Sequence, residues 1–112
     1  MTRAFDAVSL DVGGVLVVPD HGTLAGALTR AGVAHDVGRF GIGHYLAMAA
    51  MDAAASGHEV FSDYIGGFAE AVGVTDGDLA VAHDALAGVL FTPVWCQPVP
   101  GSRSGLRALA EA

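Results

Sequence analysis

Between an apolar run and a pair of glycines, the stretch Ser9-Leu10-Asp11-Val12-Gly13-Gly14-Val15-Leu16-Val17-Val18 places a single carboxylate, Asp11. An ordinary Asp, with a pKa of about 3.9, is ionised at neutral pH. Such a group can bind Mg²⁺ through oxygen, or attack phosphorus to give an aspartyl-phosphate that water then hydrolyses. Glycines open backbone conformations closed to other residues, so the chain can turn tightly or approach a ligand, and the N–H groups of Gly13 and Gly14 could hold phosphoryl oxygens. On these residues alone two readings stand side by side: a catalytic carboxylate, or a polar residue that ends a strand in a turn.

The elements that must position Asp11 follow from the pattern around it. Residues 4–10, with Phe5, Val8 and Leu10 apolar, predict a short strand ending at Asp11, which is where open α/β sheets place ligands. Residues 15–18 form a second, weaker β-prone run closed by Pro19. Thr23 is a plausible N-cap for a helix ending at Gly32. From about Ile42 to Gly57 a second helix is expected, with Ile42, Leu46, Ala49 and Ala53 sharing its apolar face and Tyr45 and Met48 widening it. Ser62 reads as the cap of a third helix, with Ile65, Phe68 and Val72 inward and Gly73 as its stop. Thr75 and Asp78 resemble a capping box opening a fourth, through about Leu90. Residues 91–101, with Pro93, Pro98 and Pro100, read as a linker, and a last helix spans about residues 102–111. A buried strand needs neighbours for its N–H and C=O groups. With one good strand and one weak one, the chain is either mostly helical or the beginning of a longer α/β protein, and its order of elements asks for a further strand.

Composition narrows the classes. A chain of 112 residues that is 53% hydrophobic and 15% charged is a globular domain rather than a disordered one. By area scaling it can bury roughly 65% of its unfolded surface. Five basic against twelve acidic residues, a formal charge of −7 with no basic cluster, argue against nucleic acid as a partner. They say little about a small anionic substrate, since a bound cation or converging N–H groups reverse the local potential. One cysteine, Cys96, rules out an internal disulfide framework. No apolar run approaches the roughly 18 residues needed to span a bilayer, and Asp6 and Asp11 interrupt any secretory h-region, so a cytoplasmic protein without membrane contact is expected.

Phe5-Asp6-Ala7-Val8-Ser9-Leu10-Asp11-Val12-Gly13-Gly14-Val15-Leu16-Val17-Val18-Pro19-Asp20 resembles the first motif of the haloacid dehalogenase-like (HAD) hydrolases, a hydrophobic strand followed by Asp-x-Asp-Gly-Thr/Val-Leu. The helical stretch that follows is similar to that family's α-helical cap, and Pro98-Val99-Pro100-Gly101 with its trailing helix looks like the return to the core. The resemblance implies an α/β, HAD-like (Rossmann-like) fold in three parts: a first core strand and nucleophile turn (1–20), an inserted α-helical cap (21–92), and a linker with a returning core helix (93–112). The chain as given would be mostly helical with an incomplete sheet. The resemblance further implies that Asp11 is the nucleophile and a Mg²⁺ ligand, that the Gly13 carbonyl binds the same ion, and that the substrate is a small phosphorylated metabolite. Phosphomonoester hydrolysis is the family's common activity; dehalogenase or phosphomutase chemistry would reuse the same nucleophile. Gly13 occupies the place of the family's second Asp, the usual general acid and base, so leaving-group protonation passes to water or to Asp20 or His21. The family's later Ser/Thr, Lys and acidic pair have no counterpart before Ala112. The chain is therefore expected to be an inactive N-terminal part of such a hydrolase.

Rival patterns are weaker. His35-Asp36 and His83-Asp84 resemble the His-Asp dyads of helical metal-dependent phosphohydrolases, but His83 has no helical partner four residues on. His44, Asp52, His58 and Glu59 read as surface or cap-packing residues, and Met48, Met51, Tyr45, Phe61, Tyr64 and Phe68 as the core of the helical region. Gly13-Gly14 lacks the third glycine of a dinucleotide fingerprint and the Gly-Lys-Ser/Thr of a P-loop. The alternative in a different class is non-enzymatic: a helical interaction module, or a catalytically dead remnant that binds a partner through uncovered apolar surface.

Overall fold

The computed structural model describes residues 7–54 and 60–112. Its elements run β1 (Val17–Pro19), α1 (His21–Arg30), a 3₁₀ turn (Val37–Arg39), α2 (Phe40–Ala54), α3 (Val60–Ala71), a second 3₁₀ turn (Asp76–Asp78), α4 (Leu79–Leu90), β2 (Trp95–Pro98) and α5 (Ser102–Glu111). The chain is mostly helical, with one two-stranded antiparallel sheet among the described residues. That is compatible with an α/β class.

The strand expected at 4–10 is not formed in its described part. Residues 7–10 carry no strand and are exposed, and residues 4–6 lie outside the described residues. Extended backbone persists as strand only when a neighbour takes its polar groups, and among the described residues nothing pairs with residues 7–10. The weaker run is the strand instead. β1 pairs with β2 in the register Val17 to Pro98, Val18 to Gln97 and Pro19 to Trp95, with an irregularity between Val18 and Pro19. Leu16 O accepts from Val99 N (2.9 Å) at one end of the ladder, and Val94 O from Asp20 N (2.6 Å) at the other. β2 lies in the segment expected to be a linker, whose prolines argue against a central strand; a two-stranded ribbon has only edges, where proline is tolerated.

This ribbon closes a block of four helices. α2 packs along α3, α3 against α4, and α4 against α1. Leu24, Leu28, Phe40, Phe68, Val72, Leu86 and Leu90 are buried between them. Phe40 and Phe68 meet edge to face, centroids 5.6 Å apart. Glycine sets how closely α2 and α3 approach: a Cβ on Gly43 would lie 2.8 Å from the Phe68 ring, and one on Gly67 only 2.6 Å from Ala50 Cβ.

Ile65, Phe68 and Val72 are buried as their spacing predicts. Gly32 and Gly73, at φ +73° and +85°, end α1 and α3 in the left-handed conformation that favours glycine. The expected caps differ. Asp20, not Thr23, caps α1, its Oδ2 accepting from Thr23 N (2.9 Å) and Thr23 Oγ1 (2.8 Å). Ser62 lies inside the first turn of α3. Thr75 precedes the second 3₁₀ turn without a side-chain capping bond. The stop expected at Gly57 lies outside the described residues.

The largest correction concerns α2. The face expected inward is outward: Ile42, Leu46, Ala49 and Ala53 are exposed, while Phe40, Gly43, His44 and Ala47 are buried. The helix is apolar around most of its circumference, so hydrophobic periodicity does not select a side. Close packing does, because only the face carrying Gly43 and Ala47 lets α3 approach this near.

Candidate functional site

Asp11 is exposed, and its Oδ1 accepts from the Val12 N–H at 2.8 Å. The turn after it is tightly bonded. Val12 O accepts from both Leu16 N (2.9 Å) and Val17 N (3.1 Å), and Gly14 N donates to Val17 O (2.8 Å). Gly14 sits at φ +75°, so a side chain there is strained whatever the space. The N–H expected from Gly14 for a phosphoryl oxygen is therefore already committed inside the turn. Gly13 differs: its N–H and C=O enter no hydrogen bond among the described residues.

The turn rests on aromatic side chains of the helical block. Tyr45 Oη donates to Gly14 O at 2.7 Å. The His44 ring packs against Gly14, where a Cβ would lie 2.7 Å from Nε2. Trp95 of β2 meets His44 edge to face at 5.5 Å and flanks Gly13. Behind them, His44 Nδ1 lies 2.8 Å from Tyr64 Oη. Burial pushes the His44 pKa below the ordinary imidazole value, because the charged form loses water, and raises that of Tyr64 for the same reason. His44, read from the sequence as a surface or packing residue, is thus buried against the glycine turn. The signal lay in its spacing: Phe40, Gly43, His44 and Ala47 form one helical stripe, and a histidine on that stripe faces inward.

Neither substitute proton donor is well suited. Asp20 is occupied as a helix cap, and the hydrogen bonds from Thr23 hold its carboxyl below the usual carboxylate range. His21 is lowered by burial, partly offset by Asp20, and its Nδ1 meets Gln97 Nε2 at 3.1 Å while Gln97 Oε1 accepts from His21 N at 2.7 Å.

For Mg²⁺ the turn presents the right kind of donor. Asp11 retains Oδ2 and Gly13 its carbonyl, two hard oxygens of the type this ion combines with water and substrate phosphate. No group of three or more His, Cys, Asp or Glu that could hold a metal exists among the described residues. Of the His-Asp pairs, His35 and Asp36 are engaged locally, His35 Nδ1 with Val33 O (2.9 Å) and Asp36 Oδ1 with Gly38 N (2.9 Å), while His83 Nε2 lies 3.1 Å from Ser62 Oγ of α3. His58 and Glu59 lie outside the described residues. Among the described residues no helix is long and apolar enough to cross a membrane. No known family, curated protein or solved structure matches the chain.

Proposed function

We propose that these residues form the nucleophile turn and helical cap of a HAD-like hydrolase, a cytoplasmic, Mg²⁺-dependent phosphatase of small phosphomonoesters. The observation that supports this reading is the ribbon of β1 and β2. It brings both ends of the helical block to one place, beside the glycine turn, as an inserted cap would require. Asp11 attacks phosphorus and water releases the phosphoryl group from it. Asp11 and the Gly13 carbonyl would hold Mg²⁺, which would supply positive charge to the phosphoryl oxygens. Phosphoryl transfer needs clustered cations, and residues 7–19 around Asp11 include none. Alone, therefore, the chain lacks turnover.

The test is Mg²⁺-dependent hydrolysis of a generic phosphomonoester by a longer form that contains these residues. Asp11→Asn is expected to reduce it to background; activity that survives the substitution overturns the nucleophile assignment. Clear turnover by the 112 residues alone overturns the claim that they are an incomplete enzyme. The exposed Val8, Val12 and Val15 beside the turn, with Leu106 and Leu109 on α5, favour the second reading, a non-enzymatic interaction module, if both assays stay blank.

A further inference from the structure

His44 has no role in the reading above, yet its ring is buried in the helical block, 5% exposed. Its two nitrogens are treated differently. Nδ1 is held by Tyr64 Oη, whereas Nε2 faces Gly14 and has no hydrogen-bond partner among the described residues. No fully covered side-chain nitrogen or oxygen among them lacks a partner, so Nε2 retains contact with solvent at the rim of the turn. The groups around the ring are few. Tyr45 on α2 has its hydroxyl on Gly14 O, Tyr64 on α3 bonds Nδ1, Trp95 on β2 is uncharged, and Asp11 is the one charged residue between positions 7 and 19.

We propose that His44 is the acid–base residue of the Asp11 turn, moving a proton at Nε2 where Gly13 has no side chain to do so. This rests on the phosphatase reading. With Nδ1–H donating to Tyr64 Oη, Nε2 keeps its lone pair toward the turn, and Tyr64 accepts equally well when the ring is charged. In the first step Nε2 takes the proton of the bound phosphomonoester monoanion, the Asp11 oxygen bonds to phosphorus, the bond from phosphorus to the ester oxygen breaks, and that oxygen leaves with the electron pair and takes this proton from Nε2. In the second, water oxygen bonds to phosphorus, the aspartyl oxygen departs with its electron pair, and the proton lost by water returns to Nε2. That proton leaves with the phosphate product, so the sum is hydrolysis with Nε2 bare again.

The first test uses the 112-residue chain and no catalysis. ¹⁵N NMR of the ring at pH 7 should show Nδ1 protonated and Nε2 bare; a protonated Nε2 with bare Nδ1 overturns the proposal. The second uses a form whose turnover Asp11→Asn abolishes. There His44→Gln should lower kcat on an alkyl phosphate about 100-fold or more, while the phosphorylation burst with p-nitrophenyl phosphate, whose leaving group needs no proton, falls less than about tenfold. An equal loss on both substrates, or none, overturns it. Tyr64→Phe keeps the packing and removes only the Nδ1 partner, so it should displace the pH limb that His44→Gln removes; an unmoved limb counts against the assignment. Activity surviving Asp11→Asn sinks the phosphatase reading itself, whereas activity lost in that variant but unchanged in His44→Gln sinks His44 alone.

Discussion

The four-helix block and the segments on either side of it are held by different means. Inside the block, side chains from α1 to α4 bury one another, and glycines at 43 and 67 let α2 and α3 approach closely. Outside it, residues 7–13 are exposed and α5 buries no residue. The turn between Val12 and Val17 belongs to neither: it is held by its own backbone bonds and by Tyr45 and His44 reaching up from α2. Stability resides in the block. The chemistry we assign sits at its edge, where a carboxylate stays in reach of solvent and substrate.

Substitutions should separate the two regions. Phe68→Ala removes the ring that Phe40 meets and that fills the space opposite Gly43, so chemical denaturation should show a loss of about 3–5 kcal/mol. Asp11→Asn, on an exposed residue, should change stability by less than about 0.5 kcal/mol while abolishing the turnover we propose in any form that shows it. If it destabilises like a core variant, the division between block and turn is wrong. Gly14→Ala should cost about 1–2 kcal/mol from its left-handed backbone alone, with a further loss as the new methyl displaces His44. Gly88→Ala, in the last turn of α4 with open space around it, should instead stabilise by up to about 0.5–1 kcal/mol. Equal effects at the two glycines would remove the evidence that the turn is clamped.

Asp20→Ala deletes a helix cap and should cost about 1 kcal/mol at neutral pH. The folded-state pKa of Asp20 is lowered, so its contribution is present above the ordinary carboxylate pKa and is lost as pH falls through the folded value, below about pH 4. The smallest effect belongs to the histidines. His21 and His44 have lowered folded-state pKa values, so from about pH 6.5 downward the unfolded chain takes up protons that the folded one resists. Stability should therefore decline with acidification across that window. His44→Gln should flatten part of the slope; an unchanged slope would place that ring in water rather than against the turn.

Several features were legible because they depend on near neighbours along the chain. Gly32 and Gly73 end helices through a positive φ, and the 65, 68, 72 spacing places three side chains on one helical face. Others were misread for definite reasons. Pro98 disguised β2 as a linker, and the apolar surface of α2 concealed which side faces inward. Asp11 and its glycines were legible as a candidate site, but the partners of that turn were not. Tyr45 and His44 reach Gly14 from about thirty residues away, and no local pattern encodes that approach.

The sequence by itself determined the helical elements, the left-handed glycines that end two of them, and a lone carboxylate ahead of a glycine turn. These are settled by backbone sterics and by spacing of a few residues. Only the tertiary structure decided that Val17–Pro19 pairs with Trp95–Pro98, that α2 turns Gly43 and His44 inward, and that Nε2 of His44 lies against Gly14. Each of those outcomes depends on how closely two distant backbones can pack, and that is a property of the assembled chain.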